Sequence, residues 1–284
     1  VEGNSLLRYV SDLIGERHPV TAPAALDRTA ECIADGFGRI GLDVVRDGFR
    51  AFGRTHHNII ATRPGRVQDA PPLIIAAHYD AVAGSPGADD NASGVAAILE
   101  AARRLSRLSL NHPVQFIAFG LEEENLIGSR AYVSRLMREK RPIHGAIVLE
   151  CVGFTDFRDG SQRKPAGLPI AIPTTGNFLG VIGNTASAEL LQGFTAAARK
   201  QAPDLPLVPL IVPGRGEALP DTRRSDHAAF WDAGLPALML TDTADFRNPN
   251  YHSPTDTLET LDLGFLTHVA RSVAAAAIEL DLPR

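Results

Sequence analysis

Five short clusters bearing acids or histidines follow one another along the 284-residue chain. They are His78-Tyr79-Asp80, Asp89-Asp90-Asn91, Glu122-Glu123-Glu124, Leu149-Glu150 and Tyr251-His252-Ser253. Each falls where an apolar run ends or a loop begins. Together they supply imidazoles and carboxylates, the ligand types of a two-metal hydrolase, in which cations polarise an oxygen and bring the pKa of water toward ~7.

Each cluster also has a plainer reading. His78 and Asp80 are two apart, so on an extended segment they face the same way, and Asp80 could accept the second N–H of a metal-binding imidazole. A surface His beside a surface Asp fits the same spacing equally well. Residues 86–94, Pro-Gly-Ala-Asp-Asp-Asn-Ala-Ser-Gly, form a tight loop leading into a helix. That loop suits a turn with an N-cap, or a carboxylate shared by two cations. Asn91-Ala92-Ser93 matches a glycosylation sequon, discounted because a helix start beside a metal site leaves no room for a glycan. Adjacent Glu122 and Glu123 diverge from the backbone, so one could hold a metal while the other holds the attacking water. Taken alone, three consecutive glutamates read more simply as a solvated acidic turn. Glu150 ends an apolar run, where a charge must be paired. Ser225-Asp226-His227 is either a helix cap or a source of a supporting acid, and Asp256 or Thr257 reads as a cap of the following helix.

The elements that must position these residues follow from periodicity. Apolar spacing of three and four predicts helices over 5–16, 24–40, 93–108, 126–140, 186–201 and 261–280. Short apolar runs predict strands at 58–62, 73–77, 114–119, 143–149, 181–183, 207–212 and 237–241. Strands alternating with helices imply an α/β protein with a largely parallel central sheet covered on both faces, and such sheets bind ligands beyond the carboxyl ends of their strands. His78, Glu122-Glu123 and Glu150 each follow one of those runs. Residues 153–173 and 213–224 read as long loops that wall the site.

Composition bounds the class. The chain is 44% hydrophobic with a formal charge of −5, so it is globular and lacks the basic face that nucleic acid requires. No stretch reaches the ~18 apolar residues of a membrane span. Cys32 and Cys151 lie far apart and read as two buried free thiols. The chain starts at Val1 with no visible signal peptide, which slightly favours a cytoplasmic location and leaves a secreted or periplasmic one open if a leader was removed. Neither a Gly-x-Ser-x-Gly elbow nor a phosphate-binding loop is present.

Taken in order, His78-x-Asp80, the loop 87–94, Glu122-Glu123-x-x-Leu126-Ile127-Gly128-Ser129, Glu150, Ser225-Asp226-His227 and Tyr251-His252 closely resemble the M28 family of zinc peptidases. The resemblance runs from about residue 56 to residue 265. It implies one peptidase domain over 1–284, built as a three-layer α/β/α sandwich with a mostly parallel mixed sheet of the zinc-exopeptidase (phosphorylase/hydrolase-like) type. It implies two divalent ions, Zn2+ foremost. His78 and Glu150 would hold one, Glu123 and His252 the other, and Asp89 would bridge them through a cis Asp89-Asp90 peptide. Glu122 would act as general base, Asp80 would orient His78, and Tyr251 would hydrogen-bond the developing oxyanion. Many aminopeptidases of the family carry Asp where this chain has Glu150. Three ligand carboxylates facing two divalent ions leave about one positive charge, which a bridging hydroxide neutralises. The implied activity is aminopeptidase hydrolysis of a peptide substrate, with no nucleic-acid or membrane partner and the oligomeric state open. A glutaminyl-peptide cyclotransferase, a carboxypeptidase-type enzyme and a non-catalytic relative are the alternatives. The short connection 122–129, the intact loop 87–94 and Tyr251 weigh against the cyclase, and the complete ligand set weighs against the non-catalytic relative.

Overall fold

The computed structural model of the protein describes residues 2–67 and 69–282. Positions 1, 68, 283 and 284, which the single-domain expectation included, lie outside the described residues. The chain runs α1 (Glu2–Leu13), α2 (Pro23–Ile40), β1 (Asp43–Ala51), β2 (Arg54–Arg63), β3 (Leu73–His78), α3 (Gly94–Leu105), β4 (Val114–Phe119) and α4 (Ile127–Arg138). It continues with β5 (Gly145–Glu150), β6 (Leu179–Asn184), α5 (Ala188–Gln201), β7 (Leu207–Val212), α6 (His227–Asp232), β8 (Ala237–Thr241) and α7 (Leu263–Glu279).

The strands form one eight-stranded sheet in the order β1-β2-β4-β3-β5-β8-β6-β7. Its centre, β4-β3-β5-β8, is parallel, and antiparallel pairings flank it at β1-β2, β2-β4 and β8-β6. The sheet is therefore mixed, as the resemblance implied. Both long-loop expectations hold in outline. One strand was not foreseen: β1 is mostly exposed, buries only Asp47 and mixes charged residues with Val45 and Phe49, as an edge strand can, so its sequence carries no apolar run.

β3 shows how the layers form. All six of its residues are buried. Ile75 and Ala77 pack into the larger core with residues of α1, α2, α3, α5 and α7, while Ile74 and Ala76 pack with Tyr132, Val133 and Leu136 of α4 and with Phe230 and Trp231 of α6. The period-two alternation of a strand thus divides a continuous apolar run between two helical layers. Chain order reverses at β3, which continues to β4 on one side and has β5 on the other. A sheet opens a crevice at such a switch point, and His78 ends β3 there.

The turn after β4 is held by a buried asparagine. Asn58 on β2 accepts a hydrogen bond from the Gly120 N–H at 3.2 Å and donates to the Gly128 carbonyl at 3.0 Å. It thereby closes the segment carrying Glu122 and Glu123 from both ends. A Cβ on Gly128 would lie 2.1 Å from the Gly120 carbonyl oxygen and 2.5 Å from Asn58 Oδ1. Backbone cannot yield as a side chain tip can, so Gly128→Ala is expected to lower stability by about 2 kcal/mol or more. A fall in the urea midpoint with an unchanged slope would show this; an unchanged midpoint would mean that the turn is not so constrained.

Candidate metal centre

Two groups of potential ligands meet at the carboxyl ends of the central strands. His78, Asp90 and Glu150 form one, and Asp90, Glu123 and His252 the other, with the ligand atoms of each group within 4.8 Å of one another. Asp90 belongs to both. Its Oδ1 lies 3.1 Å from His78 Nε2, and its Oδ2 lies 3.0 Å from His252 Nε2. His78 Nε2 is 3.3 Å from Glu150 Oε2, and His252 Nε2 is 3.2 Å from Glu123 Oε2. One carboxylate thus offers an oxygen to each side.

This corrects the assignment of Asp89 as the shared ligand. Asp89 turns the other way. Its Oδ1 accepts the Gly153 N–H at 2.8 Å, and its Oδ2 accepts the Asn248 side-chain amide at 2.8 Å. It is also hydrogen-bonded to buried Asp242. Burial raises the pKa of both carboxyls, and each is held by the hydrogen bond to the other. The cis peptide likewise lies one residue on, at Asp90-Asn91 and not at Asp89-Asp90. The physical reason is local. Residues 88–93 form an irregular turn in which Asp90 and Asn91 leave helical geometry, so strand or helix periodicity does not say which acid faces inward.

Supporting side chains fix the candidate ligands. Asp80 Oδ1 lies 3.4 Å from His78 Nδ1, and the same carboxylate accepts the N–H groups of Glu122 at 3.0 Å and Glu123 at 3.1 Å. Asp256 accepts the N–H groups of Asp89 at 2.9 Å and Asp90 at 3.1 Å. It clamps the turn bearing the shared carboxylate, and the cap expected for the next helix is supplied by Asp262, which accepts the Phe265 N–H. Asn91 accepts the Cys151 N–H at 3.3 Å and donates to the Leu149 carbonyl at 2.8 Å, joining that turn to the end of β5. Ser225 donates to Glu150 Oε2 at 2.7 Å. Asp226 is fully buried at the start of α6, where its side chain makes no capping bond. Burial pushes its carboxyl up to about 7, opposed by nearby His78 and the Ser129 hydroxyl. Leu121, Cys151 and His252 all adopt left-handed φ values, 59°, 50° and 55°, so three ligand-bearing segments hold a conformation uncommon for residues other than glycine. Cys151 is buried and Cys32 only half-buried, and both are free thiols.

The donor set fits cations. His78 Nε2, both Asp90 carboxylate oxygens and Glu123 Oε1 are buried without an aligned hydrogen-bond partner. Close approach without alignment is what lone pairs directed at common points produce. Protonation shows the same pressure. Burial raises Glu123 to about 8, with the Asp90 charge adding to it, and burial likewise pushes Glu122 well above the carboxylate range. At His252 burial opposes the charged form, but Asp90 and Glu123 outweigh it and raise the imidazole to about 10. Burial also opposes charge on His78, where Glu150 and Glu122 prevail and raise it. Burial raises the phenol of Tyr251, which keeps its proton; its ring stacks on His252 at 3.8 Å, and Arg224 Nη2 lies 3.4 Å from its hydroxyl.

Residues 58–277 match the profile of Peptidase family M28. The chain belongs to that family. It is 33% identical over 94% of its length to the protein YfbL of Escherichia coli, spanning 84% of that relative. It is 29% identical over 80% of its length to the aminopeptidase YwaD of Bacillus subtilis, of which it spans 45%. The chain thus spans about half the length of that aminopeptidase. Its fold superposes on a zinc aminopeptidase from Bacillus subtilis with a TM-score of 0.77 at 21% identity, covering 99% of this chain and 95% of that one. It also superposes on the glutaminyl cyclase of Porphyromonas gingivalis with a TM-score of 0.72 at 17% identity, covering 98% and 96%. Likeness at that level speaks for the fold.

The protonation pattern fixes the sign of a pH effect. Carboxyls and imidazoles whose folded pKa is raised favour folding at low pH. Glu123 loses that contribution as pH climbs through about 8, and His252 holds its own fully below 6.5 and loses it toward about 10. The metal-free protein is therefore destabilised by rising pH, and a divalent ion that replaces those protons restores it. The gain in Tm on adding zinc to chelated protein should be larger at about pH 8 than at about pH 6; an equal or smaller gain would contradict the site. Asp80→Ala should weaken zinc binding by ~10–100-fold in competition with a chelator, and unchanged affinity would remove Asp80 from the site.

Proposed function

We propose that the chain is a two-metal exopeptidase that removes an apolar residue from the N-terminus of a peptide. The observation that carries this reading is Asp90, shared by two complete ligand groups, with Glu122 Oε2 3.9 Å from His78 Nε2 beside them. His78, Asp90 and Glu150 would hold one divalent ion, and Asp90, Glu123 and His252 the other. Zinc suits this donor set, and the Bacillus subtilis enzyme of like fold is a zinc aminopeptidase. Bound there, the ions would polarise the scissile carbonyl and acidify the attacking water.

The chain's own residues supply the rest. Glu122, buried and raised in pKa, takes the proton of the attacking water and returns it to the leaving amine. Asp80 orients His78 and, through two N–H groups, sets the direction of Glu122 and Glu123. Tyr251, held neutral by burial, donates to the oxyanion as the carbonyl becomes tetrahedral. An apolar recess opens beside Glu150 and Tyr251, lined by Leu168, Ile170, Phe178, Ile182, Leu210 and Met239, with Thr222 and Arg224 at its edge. The long loops 153–173 and 213–224 contribute to it, as their placement suggested. A bulky apolar side chain would bury its surface there, at roughly 25 cal/mol per Å². Two full ligand groups favour this hydrolytic reading over a single-ion cyclase.

Zinc-loaded protein should release p-nitroaniline from Leu-p-nitroanilide and not from its N-acetylated form. Glu122→Gln should cut turnover by at least ~100-fold while leaving the zinc content unchanged. Near-normal turnover in that variant would overturn the role of Glu122, and cleavage of the acetylated substrate would overturn the requirement for a free amine.

A further inference from the structure

A second recess adjoins the metal centre, and its chemistry is opposite to that of the apolar one. It has a volume of about 350 Å³, and its lining includes Glu122, Glu123 and His252 together with Arg130, Arg223 and Arg224. The size is that of a small-ligand site. Three guanidinium groups at one mouth stand out in a chain whose formal charge is −5. They come from separate parts of the fold: Arg130 from α4, and Arg223 and Arg224 from the loop before α6.

The three are not equally free. Arg223 donates to Asp232 at 2.7 Å, and Arg224 donates to Asp245 at 2.7 Å. The exposed Arg130 side chain has no ion-pair partner among the described residues. The mouth therefore keeps at least one uncompensated cation, with two more arginines adjoining it.

The two recesses share Tyr251 and Arg224. The apolar one touches Glu150, and the cationic one touches Glu122, Glu123 and His252. A peptide whose first side chain fills the apolar recess and whose scissile bond lies over the ligand groups would have the cationic recess adjoining that bond.

We propose that Arg130, assisted by Arg223 and Arg224, binds a carboxylate on the leaving residue, so that the enzyme favours dipeptides or peptides with an acidic second residue. This rests on the aminopeptidase reading above and adds the other half of the substrate. Guanidinium is suited to the task, since its planar fork matches a carboxylate in two parallel hydrogen bonds. The α-carboxylate of a dipeptide and the side chain of an acidic second residue present the same group. A neutral leaving group such as p-nitroaniline makes no use of it.

The test compares kcat/KM of the zinc-loaded enzyme for Leu-Ala, Leu-Ala-amide, Leu-Glu-amide and Leu-p-nitroanilide. Leu-Ala should exceed Leu-Ala-amide by about tenfold, chiefly through KM, and the advantage should shrink with added salt. Restored activity on Leu-Glu-amide would identify a site that also takes side-chain carboxylates, and its absence a site confined to the free carboxyl end. Arg130→Gln should reduce the Leu-Ala preference several-fold and leave Leu-p-nitroanilide unchanged. Equal rates on Leu-Ala, Leu-Ala-amide and Leu-Glu-amide, with Leu-p-nitroanilide still cleaved, would overturn this inference and leave the aminopeptidase reading standing. So would an Arg130→Gln variant that keeps the full preference. Failure to cleave any of the four would overturn both.

Discussion

The constraint on which the site depends is the burial of negative charge around Asp90. Asp90 and Glu150 lie buried beside Glu122 and Glu123, with His78 and His252 between them and the fully buried Arg17 guanidinium near enough to interact with Asp90 and Glu123. Carboxylates cannot be taken out of water together unless something cationic or a proton offsets them. In the metal-free chain that role is divided between Arg17 and protons on Glu122, Glu123, His78 and His252, whose pKa values all lie above their ordinary ones. Divalent ions would meet the same need without protons, and on the proposed reading would leave Glu122 able to act as a base.

The fold delivers this arrangement through its loops. The switch at β3 opens the crevice, and the ends of β3, β4 and β5 bring His78, Glu122-Glu123 and Glu150 to its edge. Further polar contacts then lock the approach. Asn58 brackets the glutamate turn, Asn91 ties the Asp90 turn to β5, and Asp80 and Asp256 each accept two backbone N–H groups. Left-handed backbone at Leu121, Cys151 and His252 shows that these segments follow the site's geometry more than local preference.

Much of this was legible in the residues. The central strands announce themselves as apolar runs, and His78, Glu123, Glu150 and His252 all fall into the two ligand groups. What escaped has physical reasons. β1 is a charged edge strand without an apolar signal. Asp89 and Asp90 are adjacent acids in an irregular turn, so neither spacing nor period separates the inward one from the outward one. Asp242, Asn248 and Asp256 look like ordinary turn and cap residues, because their partners are distant in sequence. An acid four residues after His252, or one just past a strand end, is a signal only once the fold has closed. The cationic recess is equally invisible in one dimension, since Arg130 and Arg223-Arg224 meet only through the packing of α4 near α6.

The central claim is that Asp90 joins two metal sites. Anomalous diffraction at the zinc edge from crystals of the zinc-loaded protein tests it most directly. Two peaks, each about 2.0–2.2 Å from a different oxygen of Asp90, with His78 and Glu150 around one and Glu123 and His252 around the other, are the predicted result. A single peak, or a pair bridged by Asp89 with Asp90 turned away, would contradict the account.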